Sequence, residues 1–65
     1  MSAFDELAHR VNNLLGTIAV QAEVARAEDS LEAHRQALRY IVESADRTRI
    51  ELAELIEARR RSGDA

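Results

Sequence analysis

The run Leu7-Ala8-His9-Arg10-Val11-Asn12-Asn13-Leu14-Leu15-Gly16-Thr17-Ile18 decides how this chain is read. Phe4, Leu7, Val11, Leu14 and Ile18 succeed one another at steps of three, four, three and four, the spacing that aligns side chains along one stripe of an α-helix. With Phe4 at heptad position a, Leu7 and Leu14 fall at d, and Val11 and Ile18 at a. His9 then takes position f, farthest from the stripe. Asn13 takes position c, one turn further along the same outward side. Such a helix buries an apolar side and shows solvent an imidazole beside a carboxamide.

Working outward, Ser2 is placed to cap this helix, with Asp5 as its third-residue partner, and Asp5 and Glu6 suit the positive end of the helix dipole. The helix is expected over residues 3–27, roughly 37 Å at about 1.5 Å per residue. Past Ile18 the inward side passes to Gln21, Ala22 and Ala25, and small residues let helices approach closely. Gly16 faces outward one turn beyond Asn13. It is either a tolerated glycine, at about 1 kcal/mol against alanine, or a bare patch where a partner approaches the helix. Val20 and Val24 lie outside or at the flank and extend that patch from the histidine toward the turn.

Glu28-Asp29-Ser30 is the break in the pattern. Asp29 followed by Glu32 fits a cap and its partner, and so short a connection folds the next helix back antiparallel. The second helix is expected over residues 30–61. Leu31, His34, Leu38, Ile41, Ala45, Thr48, Leu52 and Leu55 recur at strict three-four spacing, the mark of a left-handed bundle seam, and Val42 and Ile56 widen it. Thr48 reads as a polar layer that sets register. Glu43 with Arg47, Arg47 with Glu51, and Glu57 with Arg61 stand four apart and should pair on the solvated side. Arg59-Arg60-Arg61 complements the negative helix end. Ser62-Gly63-Asp64-Ala65 reads as a stop and a frayed tail. Folding back about Asp29 sets His9 opposite Arg49 to within about one turn, with Arg47 and Thr48 as neighbours of the same level.

Composition agrees with long helices. The 65 residues contain no proline or cysteine, and Phe4 and Tyr40 are the only aromatics. A chain this short buries only about 60% of the surface it exposes when unfolded, and no disulfide or thiolate metal site can staple it. Self-association is the simplest remedy. The expected fold is therefore all-α: a hairpin of two long antiparallel helices, pairing as a homodimer into a four-helix bundle. Phe4, Leu7, Val11, Leu14 and Ile18, with Leu38, Ile41, Ala45, Thr48, Leu52 and Leu55, would form the dimer core. A net charge of −3 gives no general attraction to nucleic acid, although all nine basic residues are arginine. No run is long enough to span a bilayer and no signal peptide opens the chain, so a cytoplasmic protein is expected.

The central run resembles the H-box of sensor histidine kinases, whose dimerisation and phosphotransfer domain is a helical hairpin that pairs into a four-helix bundle. Many of those kinases carry a histidine followed by an acid, an apolar residue, two asparagines and leucines. His9, Val11, Asn12, Asn13, Leu14 and Leu15 match that order, whereas Arg10 stands where the acid would be. The H-box covers about a dozen residues, and the expected hairpin takes in nearly the whole chain. The resemblance implies that His9 accepts or relays a phosphoryl group. It implies that Asn13, four residues on, can orient a water for dephosphorylation. The family's acid helps deprotonate the imidazole, and arginine, always protonated, cannot be that base. Arg10 can instead attract a phosphoryl group or a partner's acidic site, or pair with Glu6 one turn earlier.

Chemistry on the residues themselves is compatible with this reading. An imidazole is substantially neutral near pH 7, so a ring nitrogen can attack phosphorus, and the reaction needs the ring exposed and rigidly mounted. From helical position alone His9 is a surface histidine without a role; the resemblance turns the reading to a phosphoacceptor. Arg10, Gly16, Val20 and Arg49 would then meet a response-regulator receiver domain or a histidine kinase. His34, on the inward stripe near the turn, reads as a structural histidine. No metal and no cofactor is expected, as no carboxylates or thiols cluster at ligand spacing with His9 or His34. There is no glycine-rich phosphate-binding segment, so these residues cannot take a phosphoryl group from ATP by themselves. Two other readings stay open. One is a silent scaffold or decoy of the same fold that acts by binding. The other is a nucleic-acid-binding helical dimer using Arg59, Arg60 and Arg61, against which charge and the missing aromatics argue.

Overall fold

The computed structural model describes residues 2–64. The chain forms two helices, α1 (Ala3–Ala27) and α2 (Leu31–Asp64), packed side by side as an antiparallel hairpin. The Cα trace measures 53 × 17 × 9 Å. Its length is that of α2 alone, since 34 residues at about 1.5 Å each span about 51 Å. Among the described residues there is no strand, and no helix is long and apolar enough to cross a membrane.

Local chemistry sets the ends of the helices. Ser2 Oγ accepts the Asp5 backbone N–H at 3.1 Å, and Asp5 and Glu6 lie in the first turn. Glu28 closes α1 by donating its backbone N–H to the Val24 carbonyl at 3.0 Å. Ser30, one residue later than the expected Asp29, caps α2: its Oγ accepts the Ala33 N–H at 3.1 Å, and its carbonyl accepts the His34 N–H at 3.0 Å. Asp29 instead places a carboxylate oxygen 3.6 Å from His34 Nε2. The His34 Nε2–H reaches back across the turn to the Ala25 carbonyl at 2.9 Å, one of the last carbonyls of α1. His34 is thus a half-buried structural residue that ties the end of α1 to the start of α2.

The far end of α2 runs past the expected stop. Ser62, Gly63 and Asp64 stay helical, and Gly63 does not adopt the left-handed backbone that would end the helix. Without proline, a glycine costs a helix only about 1 kcal/mol, too little to break it here. Ala65 lies outside the described residues. Because α1 begins at Ala3, the arginine-rich last turns of α2 extend beyond it.

The packing line between the helices is most tightly covered at small residues: among the described residues Ala33, Ala37 and Thr48 are buried, at 6, 3 and 8% exposure. They share one side of α2 with half-buried Ile41, Ser44, Glu51 and Leu55. The corresponding side of α1 carries half-buried Arg10, Leu14, Thr17, Gln21 and Ala25. Of the residues expected in a dimer core, Leu14, Ile41, Thr48 and Leu55 lie on this seam, and the others lie beside it. Phe4 is 70% and Leu38 61% exposed, and Leu7, Val11, Ile18 and Ala45 are also on the surface, while Leu52 is half-buried. The physical reason is size: methyl and hydroxyl side chains let the helix axes approach, and the bulky stripe is displaced to one flank of the contact.

Ala37 has almost no free surface, so Ala37→Leu should wedge the helices apart. The expected loss is about 1–3 kcal/mol in denaturant unfolding followed by circular dichroism. An unchanged midpoint would mean that the seam does not run through Ala37.

Candidate functional site

His9, Asn13, Gly16 and Val20 follow at steps of four, three and four, and so form one strip along α1; all four are exposed. The helix backbone holds them rigidly, away from the apolar flank. Asn13 Nδ2 donates to His9 Nε2 at 3.3 Å. A side-chain amide nitrogen can only donate, so Nε2 carries the lone pair and the neutral ring has its proton on Nδ1. Gly16 has open space around it, with nothing within 4 Å of where a Cβ would stand. Val20 is exposed further along, and Val24 beyond it.

Arg10 turns the other way, into the seam. Its guanidinium donates to Glu6 at 3.4 Å and, across the helices, to Glu51 at 3.3 Å. The Arg10 Nε is fully covered and has no hydrogen-bond partner. The cation that could have met a partner's acid is therefore engaged within the hairpin. This also explains a missing pair. Glu51 was expected to bond Arg47 within α2, but Arg10 draws it across the seam. Among the described residues no carboxylate lies within 4 Å of Arg47, from either Glu43 or Glu51, whereas Glu57 and Arg61 do pair at 3.8 Å.

Arg47, Ser44, Thr48 and Glu51 face Arg10, Asn13, Leu14 and Thr17 across a cleft of about 240 Å³ between the helices. Asn13 thus belongs both to the exposed strip with His9 and to the wall of this cleft. Arg49 does not join them. It pairs with Asp46 at 3.6 Å and lies with Ile50, Ala53 and Glu54 on the outer side of α2. The level anticipated for His9 was correct to within a turn, but the residue at the cleft is Arg47. Sequence reading passed over Thr17, Ser44 and the Arg10–Glu51 contact. The signal lay in spacing: Thr17 is four beyond Asn13, Ser44 is four before Thr48, and both pairs sit on the sides that face each other.

Among the described residues no group of three or more histidines, cysteines and carboxylates could hold a metal ion. Of the terminal arginines, Arg60 and Arg61 both bond Glu57, at 3.6 and 3.8 Å. Comparison with protein-family models, with curated proteins and with solved structures gives no match for this chain.

The Arg10–Glu51 contact is partly solvated, with side-chain exposures of 35 and 29%, so its contribution should be modest. A double-mutant cycle with Arg10→Met and Glu51→Gln should give a coupling of about 0.2–1 kcal/mol in favour of the pair. A coupling of zero would remove Arg10 from the contacts that hold the hairpin together.

Proposed function

We propose that this hairpin is a histidine-phosphotransfer and dimerisation module of two-component signalling, with His9 as the phosphoacceptor or relay. The observation that carries the reading is the pairing of His9 with Asn13, four residues on, on the exposed side of a helix whose other side is apolar. The imidazole is exposed to a second protein, mounted on helical backbone, and within hydrogen-bond distance of the amide. On phosphorylation the Nε2 lone pair forms the new N–P bond, and the Asn13 amide moves from the ring nitrogen to a phosphoryl oxygen. The strip continuing through Gly16 and Val20 is the surface that a response-regulator receiver domain or a kinase would meet. These residues contain no nucleotide-binding segment, so the phosphoryl group comes from outside them.

A homodimer is part of the proposal. The chain exposes 5275 Å², about 1,100 Å² more than the roughly 4,200 Å² expected of a compact folded chain of 7.3 kDa. That excess is larger than the ~800 Å² per partner of an ordinary stable interface. The apolar flank, where Phe4, Leu15, Leu31, Leu38, Val42 and Ile56 are each more than half exposed, offers the surface for such an interface. A second copy laid on this flank leaves His9 and Asn13 free on the opposite side. The chain should therefore sediment at about twice 7.3 kDa, and Leu38→Glu, which would bury a charge in the interface, should sediment as a monomer. A wild-type monomer at all concentrations would exclude the four-helix bundle.

Phosphoramidate tests the chemistry directly. A ring nitrogen of His9 forms an N–P bond as the P–N bond of the donor breaks. The amine departs and takes up the proton that the ring sheds. Phosphorus NMR should show an acid-labile phosphohistidine signal that His9→Ala abolishes. Its absence from a folded protein would exclude the phosphoacceptor role.

Arg10 supports a second reading, a silent scaffold or decoy of the same fold. It stands where the kinase pattern has an acid, and its guanidinium, engaged by Glu6 and Glu51, cannot act as a base toward His9. Such a protein would retain its partner binding after His9→Ala, whereas a phosphotransfer module would lose its output.

A further inference from the structure

We propose that the cleft between the helices beside Asn13 is a binding site for a tetrahedral oxyanion of the phosphate class. The inference rests in part on the phosphotransfer reading, since such a site would hold a small phosphoryl donor next to His9, but its own evidence is independent of that residue.

The cleft of about 240 Å³ is open to solvent and large enough to admit a phosphate-sized anion. Its walls carry donors suited to an anion. Arg47 lines it, and among the described residues no carboxylate neutralises that guanidinium within 4 Å. A guanidinium presents a planar fork of N–H groups that matches two oxygens of a phosphate at once. The hydroxyls of Thr17 and Ser44 and the amide of Asn13 contribute further donors from both helices.

Glu51 is the one carboxylate in the lining, and Arg10 holds it at 3.3 Å. Arg10 also bonds Glu6, so its charge is matched by carboxylates on both helices, and the cation offered at the cleft is that of Arg47. Glu51 bonds Arg10 across the helices and not Arg47, four residues away in its own helix.

The site is shallow and open to water, so binding should be weak, saturable and specific for the oxyanion. The first experiment is an NMR titration of ¹⁵N-labelled protein with inorganic phosphate, against sodium chloride at matched ionic strength. The Arg47 Nε–H and the Asn13 side-chain amide should shift saturably with phosphate and not with chloride. Arg47→Gln should weaken that binding about tenfold, the effect of losing one charge-assisted contact. Arg47 is exposed, so the variant should keep its helical circular dichroism. Equal shifts in both salts, or a titration that Arg47→Gln leaves unchanged, would overturn the proposal.

A second arm separates this site from the phosphotransfer reading. With phosphoramidate as donor, Arg47→Gln should raise the donor concentration needed for half-maximal phosphorylation of His9 and leave the maximal rate nearly unchanged. Phosphohistidine formed by Arg47→Gln with the wild-type donor dependence would overturn the cleft and leave the His9 reading intact. Saturable phosphate binding by a protein that forms no phosphohistidine would support the cleft and exclude the phosphoacceptor.

Discussion

Close approach of the two helices along Ala33, Ala37 and Thr48 is the constraint on which the rest of the molecule depends. Side chains of one to three heavy atoms let the two backbones come together where leucines would hold them apart. Phe4, Leu15, Leu31, Leu38 and Ile56 are left exposed on one flank of the contact. Phe4, Leu38 and Ile56, each more than 60% exposed, belong to helices whose pattern requires burial. In this chain the seam that makes the hairpin and the stripe that would make a larger assembly are adjacent but different lines of residues.

This separation also gives the molecule two unlike sides. One is apolar, and in the proposed dimer it is covered. The other carries His9 and Asn13 on α1 and opens into the polar cleft that Asn13, Thr17, Ser44 and Arg47 share. A helical hairpin holds such a side in place by backbone geometry alone, without a loop to order. The Asn13 amide adds a specific orientation of the imidazole, which a solitary surface histidine lacks.

Arg10 connects the two aspects. Within its own helix it bonds Glu6, and through Glu51 it reaches the facing helix. In doing so it replaces the carboxylate that the resemblance to histidine kinases would place beside His9, and it leaves Arg47 without its intrahelical acid. One departure from the pattern thus removes a base and adds a tie between the helices. The proposed phosphotransfer role and the silent-scaffold reading differ mainly in whether His9 can react without that base.

Much of this was legible in the residues. Periodicity and caps located α1 over Ala3–Ala27 and the turn over residues 28–30, and so short a connection required the helices to be antiparallel. The same periodicity turned His9 and Asn13 outward and put His34 near the turn on an inward side. Spacing along a helix determines the angle of each side chain about the axis, and those conclusions need nothing more. Tertiary structure alone decided which of two adjacent lines meets the partner helix, because Ala33 and Ala37 win that contact through size, not hydrophobic strength. It decided that Ser30 and not Asp29 caps α2, and that the helix continues through Gly63. It decided that Glu51 bonds Arg10 from 41 residues away and not Arg47 from four. Each of these outcomes depends on the distance between two helices and on their register, and a one-dimensional pattern leaves both undetermined by about a turn.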